Sequence, residues 1–307
     1  MSDAPLYTPF EAPYRMSMGL MALPADEWIE IDDELPAQLR EKRALAASRP
    51  REVFLALPGS EPAQAELLGF LADHLARVRP DVYRVADGRI ALAPLAESHE
   101  LAGRAAPLEL AGQLVQEDLC LMERGEDGWT LTAGSVSFPT RWRLADKIGR
   151  PLAAIHDPVP GFADKLAAPV ARFFDHLKAE RPVWRLNWSL LDDPALFQPA
   201  GHGRTGRDDS VTAENAGDRL WLRVERQTLR LLPATGAVVF TIRVHRWPLA
   251  RLAARPDAAG RLKAAIETLP PALARYKSIP VFGEAVAQWL AHAACKGAAP
   301  GAMVPEA

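Results

Sequence analysis

The run RLWLRVERQTLR (219–230) concentrates chemistry on one strand-like segment, with Arg223, Glu225, Arg226 and Arg230 inside eight positions. Alternation puts Arg223, Glu225 and Gln227 on one face and Arg226, Thr228 and Arg230 on the other. One face should line an interior and the other meet solvent. The apolar neighbours leave both orders open, since Leu220, Leu222 and Val224 accompany the second set and Trp221 and Leu229 the first. The plain alternative is an exposed strand laced by cross-strand ion pairs. Histidines supply the other reactive groups, as metal ligands or as acid–base groups near neutral pH. Of the seven, His156 stands in AAIHDPVP, behind the apolar run Pro151–Ile155 and ahead of prolines that restrict the backbone. A buried histidine donating to a carbonyl at a helix end is the competing reading. His176 lies near an apolar helical stripe, His245 on a strand and His202 in a polar loop, while His74, His99 and His292 read as surface or packing residues. Asn187, between Trp184 and Trp188, can donate to a ligand or satisfy buried backbone groups. Cys120 and Cys295 are too few and too far apart to build a disulfide framework, a thiolate zinc site or an iron–sulfur cluster within the chain.

The elements that must position these groups follow from periodicity. Apolar spacing predicts helices over 35–48 and 61–78. LCLMER and WTLTAGSVSF flank GEDG and read as a β-hairpin over 119–138. Helix returns with LADKIG and again from Phe162, where Leu166, Val170, Phe173, Phe174 and Leu177 form a stripe. Strands are expected at 183–191, 219–232 and 237–247, and helices at 257–269 and 281–294. Residues 198–215 read as an exposed, mobile loop. The order, two strands, helices, then three strands, predicts an α+β fold. It is the order of a PAS-like antiparallel five-stranded sheet with helices covering one face and a cavity between. The chain divides into a mainly helical N-terminal region (1–110), a PAS-like core (111–247), a C-terminal helical region (248–295) and a flexible tail (296–307).

Composition narrows the classes. With 307 residues, 49% hydrophobic and 24% charged, a packed domain is expected. A net charge of -3 and the absence of a Lys/Arg run argue against nucleic acid. No apolar run approaches the roughly 20 residues of a membrane span, and the N-terminus lacks a signal pattern, so a cytoplasmic location is expected.

Beyond periodicity, VQEDLCLMER (115–124), FPTRWRLADKIGRPLAAIHDPVP (138–160), WRLNWSL (184–190) and LRVERQTLRLLPATGAVVFTIR (222–243) together resemble the haem-dependent oxidative N-demethylase family. MGL (18–20), WIEIDDELPAQLREKRALAASRP and LPPALARYK extend the likeness over nearly the whole chain. The resemblance implies a haem b subunit oxidising a small secondary or methylated amine with O2. Electrons would come from NADPH through FMN and a [2Fe-2S] cluster in partner subunits. Consistent with that division, the chain has no GxGxxG fingerprint and no cysteine quartet. A haem-binding PAS-like sensor or haem carrier without turnover is the alternative.

Under that resemblance the residues acquire roles. His156 is the candidate axial ligand, with His176 as runner-up. Arg223 and Arg226 are candidates for the haem propionates, because a guanidinium fork matches a carboxylate. Arg143, with Arg141 and Lys147, adds positive charge near the propionates or an electron donor, or simply a solvated helix start. Glu225 would meet the substrate ammonium, whose burial needs a counter-charge, and Asn187 would donate to bound oxygen.

Overall fold

The computed structural model describes residues 6–295, so the expected tail 296–307 lies outside the described residues. Its strands in chain order are β1 (Met21–Ala22), β2 (Phe54–Ala56), β3 (Tyr83–Ala86), β4 (Arg89–Leu92), β5 (Glu97–Glu100), β6 (Asp118–Gly125), β7 (Gly128–Ser135), β8 (Val183–Leu191), β9 (Trp221–Leu231) and β10 (Val238–Pro248). Seven of them form one sheet in the order β1-β8-β9-β10-β6-β7-β2, and β3-β4-β5 form a second. The five strands expected from the sequence lie side by side in the large sheet.

The five-stranded expectation is thus corrected to seven. β1 pairs through Met21↔Trp184 and β2 through Phe54↔Ser135, one on each edge. At two and three residues they are too short to show an alternating pattern. The N-terminal region, expected to be mainly helical, also carries the small second sheet. Helices Leu35–Ser48 and Glu61–Val78 form as expected, but β3 and β4 turn through Asp87 and Gly88, both at positive φ. An Asp-Gly pair is the residue choice for a two-residue hairpin turn, because glycine adopts positive φ freely and aspartate tolerates it.

Helices cover both faces of the large sheet, where one was expected. β6 is apolar at both parities. Leu119 and Leu121 pack with Leu67 and Leu71 of helix Glu61–Val78, while Cys120 and Met122 pack with Leu144 and Phe174 on the other side. A strand without a polar face has to be covered twice. The residues ahead of it make a buried junction. Gln116 donates to Asp32 at 2.7 Å, Glu117 accepts from the Glu30 amide at 2.9 Å, and Asp118 accepts from the Ser137 and Phe138 amides at 2.8 Å each.

The segment 198–215 is largely exposed, as expected, and is anchored at several points. His202 Nδ1 donates to Tyr276 O at 3.1 Å, the Arg204 amide to Ser278 Oγ at 3.1 Å and the Asp208 amide to Val281 O at 2.9 Å. A segment poor in apolar residues is held here by main-chain carbonyls and the Ser278 hydroxyl, which hydropathy does not report. Helices Pro256–Glu267 and Gly283–Cys295 pack against Leu222 and Val224 of β9.

Candidate functional site

His156 ends the short helix Leu152–Ile155, which Pro151 opens at its N-terminal boundary. Its Nδ1 meets Leu152 O at 2.8 Å, and its ring stacks on Phe162 at 4.2 Å and 11°. A carbonyl only accepts, so Nδ1 carries the proton and the neutral ring presents its lone pair at Nε2. Burial first, with the charges of Lys147 and Arg185, holds the pKa below the usual histidine value against the pull of the Leu152 carbonyl. A neutral, oriented imidazole results. Half-buried Leu152, Ile155, Val170, Phe173, Val183 and Phe240 border the same cluster, between the helices and the sheet.

Along the β8–β9 ladder, Arg185 lies opposite Gln227, Asn187 opposite Glu225 and Ser189 opposite Arg223. Glu225 is buried, with Oε1 accepting from Thr140 Oγ1, and Oε2 from Gln227 Nε2 at 2.7 Å and Asn187 Nδ2 at 3.3 Å. Three donors leave one of a carboxylate's roughly four acceptor positions open. Arg223 donates Nε to Thr140 Oγ1 at 2.9 Å, and its Nη atoms reach the carbonyls of Phe138, Ala195 and Leu196 at 2.8–2.9 Å. Its fork is spent on main chain.

The structure separates the two propionate candidates. Arg226 lies on the opposite face, where it donates to Trp28 O at 3.2 Å and to Glu27 O and faces Glu30 at 3.3 Å. Glu30 also receives His245 Nε2 at 2.8 Å and the Tyr7 hydroxyl. Burial alone would raise the Glu30 pKa; the His245 hydrogen bond and the Arg226 charge carry it down to about 2. Clefts of about 580 and 390 Å³ open on this second face, both bordered by Glu30 and Arg79. They lie away from His156 and Glu225. Arg143 is exposed and pairs with Asp146 at 2.9 Å, and His176 is exposed with Nδ1 on Arg172 O at 2.7 Å.

Arg185 is the residue that sequence reasoning missed. Its Nε is buried without a hydrogen-bond partner, and its charge acts on both His156 and Glu225. Burial lowers its pKa against the attraction of Glu225. Other arginines with a buried unpartnered nitrogen have compensation: Arg243 pairs with Asp32 at 2.6 Å, and Arg230 stands over Phe70 at 4.4 Å and Trp28 at 5.0 Å. Arg185 is half-buried as a whole, and its one buried, unpartnered nitrogen calls for an acceptor. The sequence signal was Arg185's parity, shared with Asn187 two residues on.

Fold and site define an α+β protein with an antiparallel sheet, a helix-borne neutral histidine on one side of a half-buried apolar layer, and a carboxylate among amide and hydroxyl donors on the sheet. A family model described as haem-dependent oxidative N-demethylase, alpha subunit-like, matches residues 19–287, and the chain belongs to that family. The alpha-subunit description implies partner subunits. No helix among the described residues is long and apolar enough to cross a membrane. The chemistry of these residues is compatible with the haem that the family description names: a neutral imidazole nitrogen at His156 Nε2 and a buried, unpartnered Nε at Arg185.

Proposed function

We propose that this chain is the haem-binding subunit of an oxidative N-demethylase acting on a small secondary or methylated amine, with O2 and with electrons from a separate reductase subunit. The observation that carries the reading is the juxtaposition of His156, Arg185 and Glu225, linked through Arg185's charge. PAS-like architecture is part of the proposal, supported by the five adjacent strands β7-β6-β10-β9-β8 with helices inserted between β7 and β8.

Haem, when bound, supplies the oxygen chemistry at the methyl group beside the amine nitrogen. The chain's own residues hold and orient. His156 would hold the iron through Nε2, the Leu152 carbonyl fixing the tautomer that leaves this nitrogen free. Arg185 would hold a haem carboxylate, since Arg223, Arg226 and Arg143 are otherwise engaged. Glu225 accepts the amine N–H at its open position, and Thr140, Gln227 and Asn187 keep that carboxylate from turning. Asn187 Nδ2 is held by Glu225, so its part is to orient the carboxylate rather than to donate to oxygen.

The full chain, purified after expression with ample haem, is expected to show a Soret band that shifts on adding a secondary amine. Glu225→Gln should keep the band and weaken the amine shift about tenfold, the scale of one charge-assisted hydrogen bond. A chain with no Soret band refutes the haem reading. A haem-loaded chain indifferent to amines is a carrier or sensor. Steady NADPH oxidation by the chain alone would refute the separate reductase.

A further inference from the structure

Lys277 is a buried cation that ends the LPPALARYK stretch, just past helix Pro271–Tyr276, and has no role so far in the proposed chemistry. Its Nζ donates to Trp188 O at 2.6 Å and to Asn187 Oδ1 at 3.4 Å, 4.9 Å from the centre of the Trp188 ring. β1 pairs with β8 only at Val183 and Trp184. Lys277 therefore caps the next stretch of that edge, where the Trp188 carbonyl has no strand partner. Burying an ammonium is costly unless it meets acceptors and a counter-charge.

Asn187 connects Lys277 to the amine site. With Oδ1 toward an ammonium that only donates, its Nδ2 is turned to Glu225 Oε2, 3.3 Å away. The charges acting on Lys277 are Glu225 of β9, which stabilises the ammonium, and Arg185 of β8, which opposes it. Tyr276 on the adjoining helix feels Glu225, and His202 of the covering loop feels Lys277, Arg141 and Glu225. Arg185 and Lys277 thus set two cationic side chains around one carboxylate. An amine cation entering beside Glu225 would be a third.

We propose that Lys277 is a positioning residue that decides which charge form of an amine the Glu225 site accepts: as an ammonium it fixes the Asn187 amide and repels a second cation, and as a free amine it admits one. The inference rests on the amine site proposed above. Burial pushes the Lys277 pKa down to about 8 against the attraction of Glu225, so the exchange falls in an accessible range. His202, lowered by burial, stays neutral above pH 7, and Tyr276, raised to about 12, stays neutral below pH 9. Neither changes charge in that window.

The sign is fixed. A depressed lysine pKa means the free amine prevails above about 8, so cation affinity should rise with pH. Tetramethylammonium, which has no proton to lose, is the probe, titrated by calorimetry into the haem-loaded full chain at constant ionic strength. Affinity is expected to rise about tenfold from pH 7 to pH 9. In Lys277→Met it should be flat with pH and near the wild-type pH 9 value. In Lys277→Arg, whose charge does not titrate, it should be flat and weak. Equal affinity at both pH values in the wild type, or a rise that survives in Lys277→Met, overturns the proposal. So does an absence of binding at both; the amine site itself stands or falls separately on the Soret shift with a secondary amine, which unlike the probe has an N–H to donate, and a missing Soret band would fail the haem reading. If Lys277→Met does not fold, the wild-type and Lys277→Arg titrations decide.

Discussion

On one face of β9, Arg226 reaches two main-chain carbonyls and Glu30, and Glu30 gathers His245 and Tyr7 as well. On the other, Glu225 keeps one acceptor position open and Arg185 has a buried nitrogen with no partner. The same residue types alternate along one strand, yet on the first face the charges find partners in the chain's own N-terminal segment, although clefts open beside them, and on the second they are left chemically incomplete. Satisfied buried charge serves the fold, and unsatisfied buried charge points to a ligand. Charge density alone does not tell the two apart; the partners do.

The comparison breaks most sharply at His156. His156→Ala should abolish stoichiometric haem binding, read as loss of the Soret band, whereas His176→Ala, which removes an exposed ring, should leave it unchanged. The reverse result would place the cofactor elsewhere. Next comes Arg226→Met on the closed face. It leaves Glu30 with less compensation, and removing one member of a buried pair costs about 3–5 kcal/mol. Chemical denaturation should show that loss, with the spectrum of the folded fraction unaltered. The smallest effect is expected at Arg185→Met. Haem retention should weaken by the equivalent of about 1.5–3 kcal/mol, the scale of a hydrogen bond to a charged group. The haem-free chain should unfold at about the same denaturant concentration, since relief of the buried, unpartnered Nε offsets the lost attraction of Glu225. If Arg226→Met costs haem and Arg185→Met costs only stability, the two faces have been assigned the wrong way round.

Much of this was legible beforehand, but unevenly. β8, β9 and β10 were readable because each is nine residues or longer and carries β-branched and aromatic residues. β1 and β2 were not, because their pairing depends on a neighbour's edge rather than on a local pattern. His156 was legible as a histidine pinned between an apolar run and prolines. Glu225 and Asn187 were named individually, but the register joining them is set across strands and has no signature within either one. Arg185 looks like any strand arginine until the partners of Arg223 and Arg226 are known. Lys277 is further removed still, lying 90 residues from Asn187 in sequence.

The grip of Arg226 on the carbonyls of Glu27 and Trp28 spans 199 and 198 residues. The segment that seals one side of the sheet is thus among the earliest to leave the ribosome, while the strand that receives it is among the later ones. At synthesis rates of about 5–20 residues per second, that segment waits on the order of ten seconds or more for its place to exist. Such long-range closure is slow in its own right. The nascent chain therefore passes through a stage in which one side of β6 has begun to pack while the counterpart of Glu30 is still unmade, and newly made protein at that stage is where a chaperone would have most to shield.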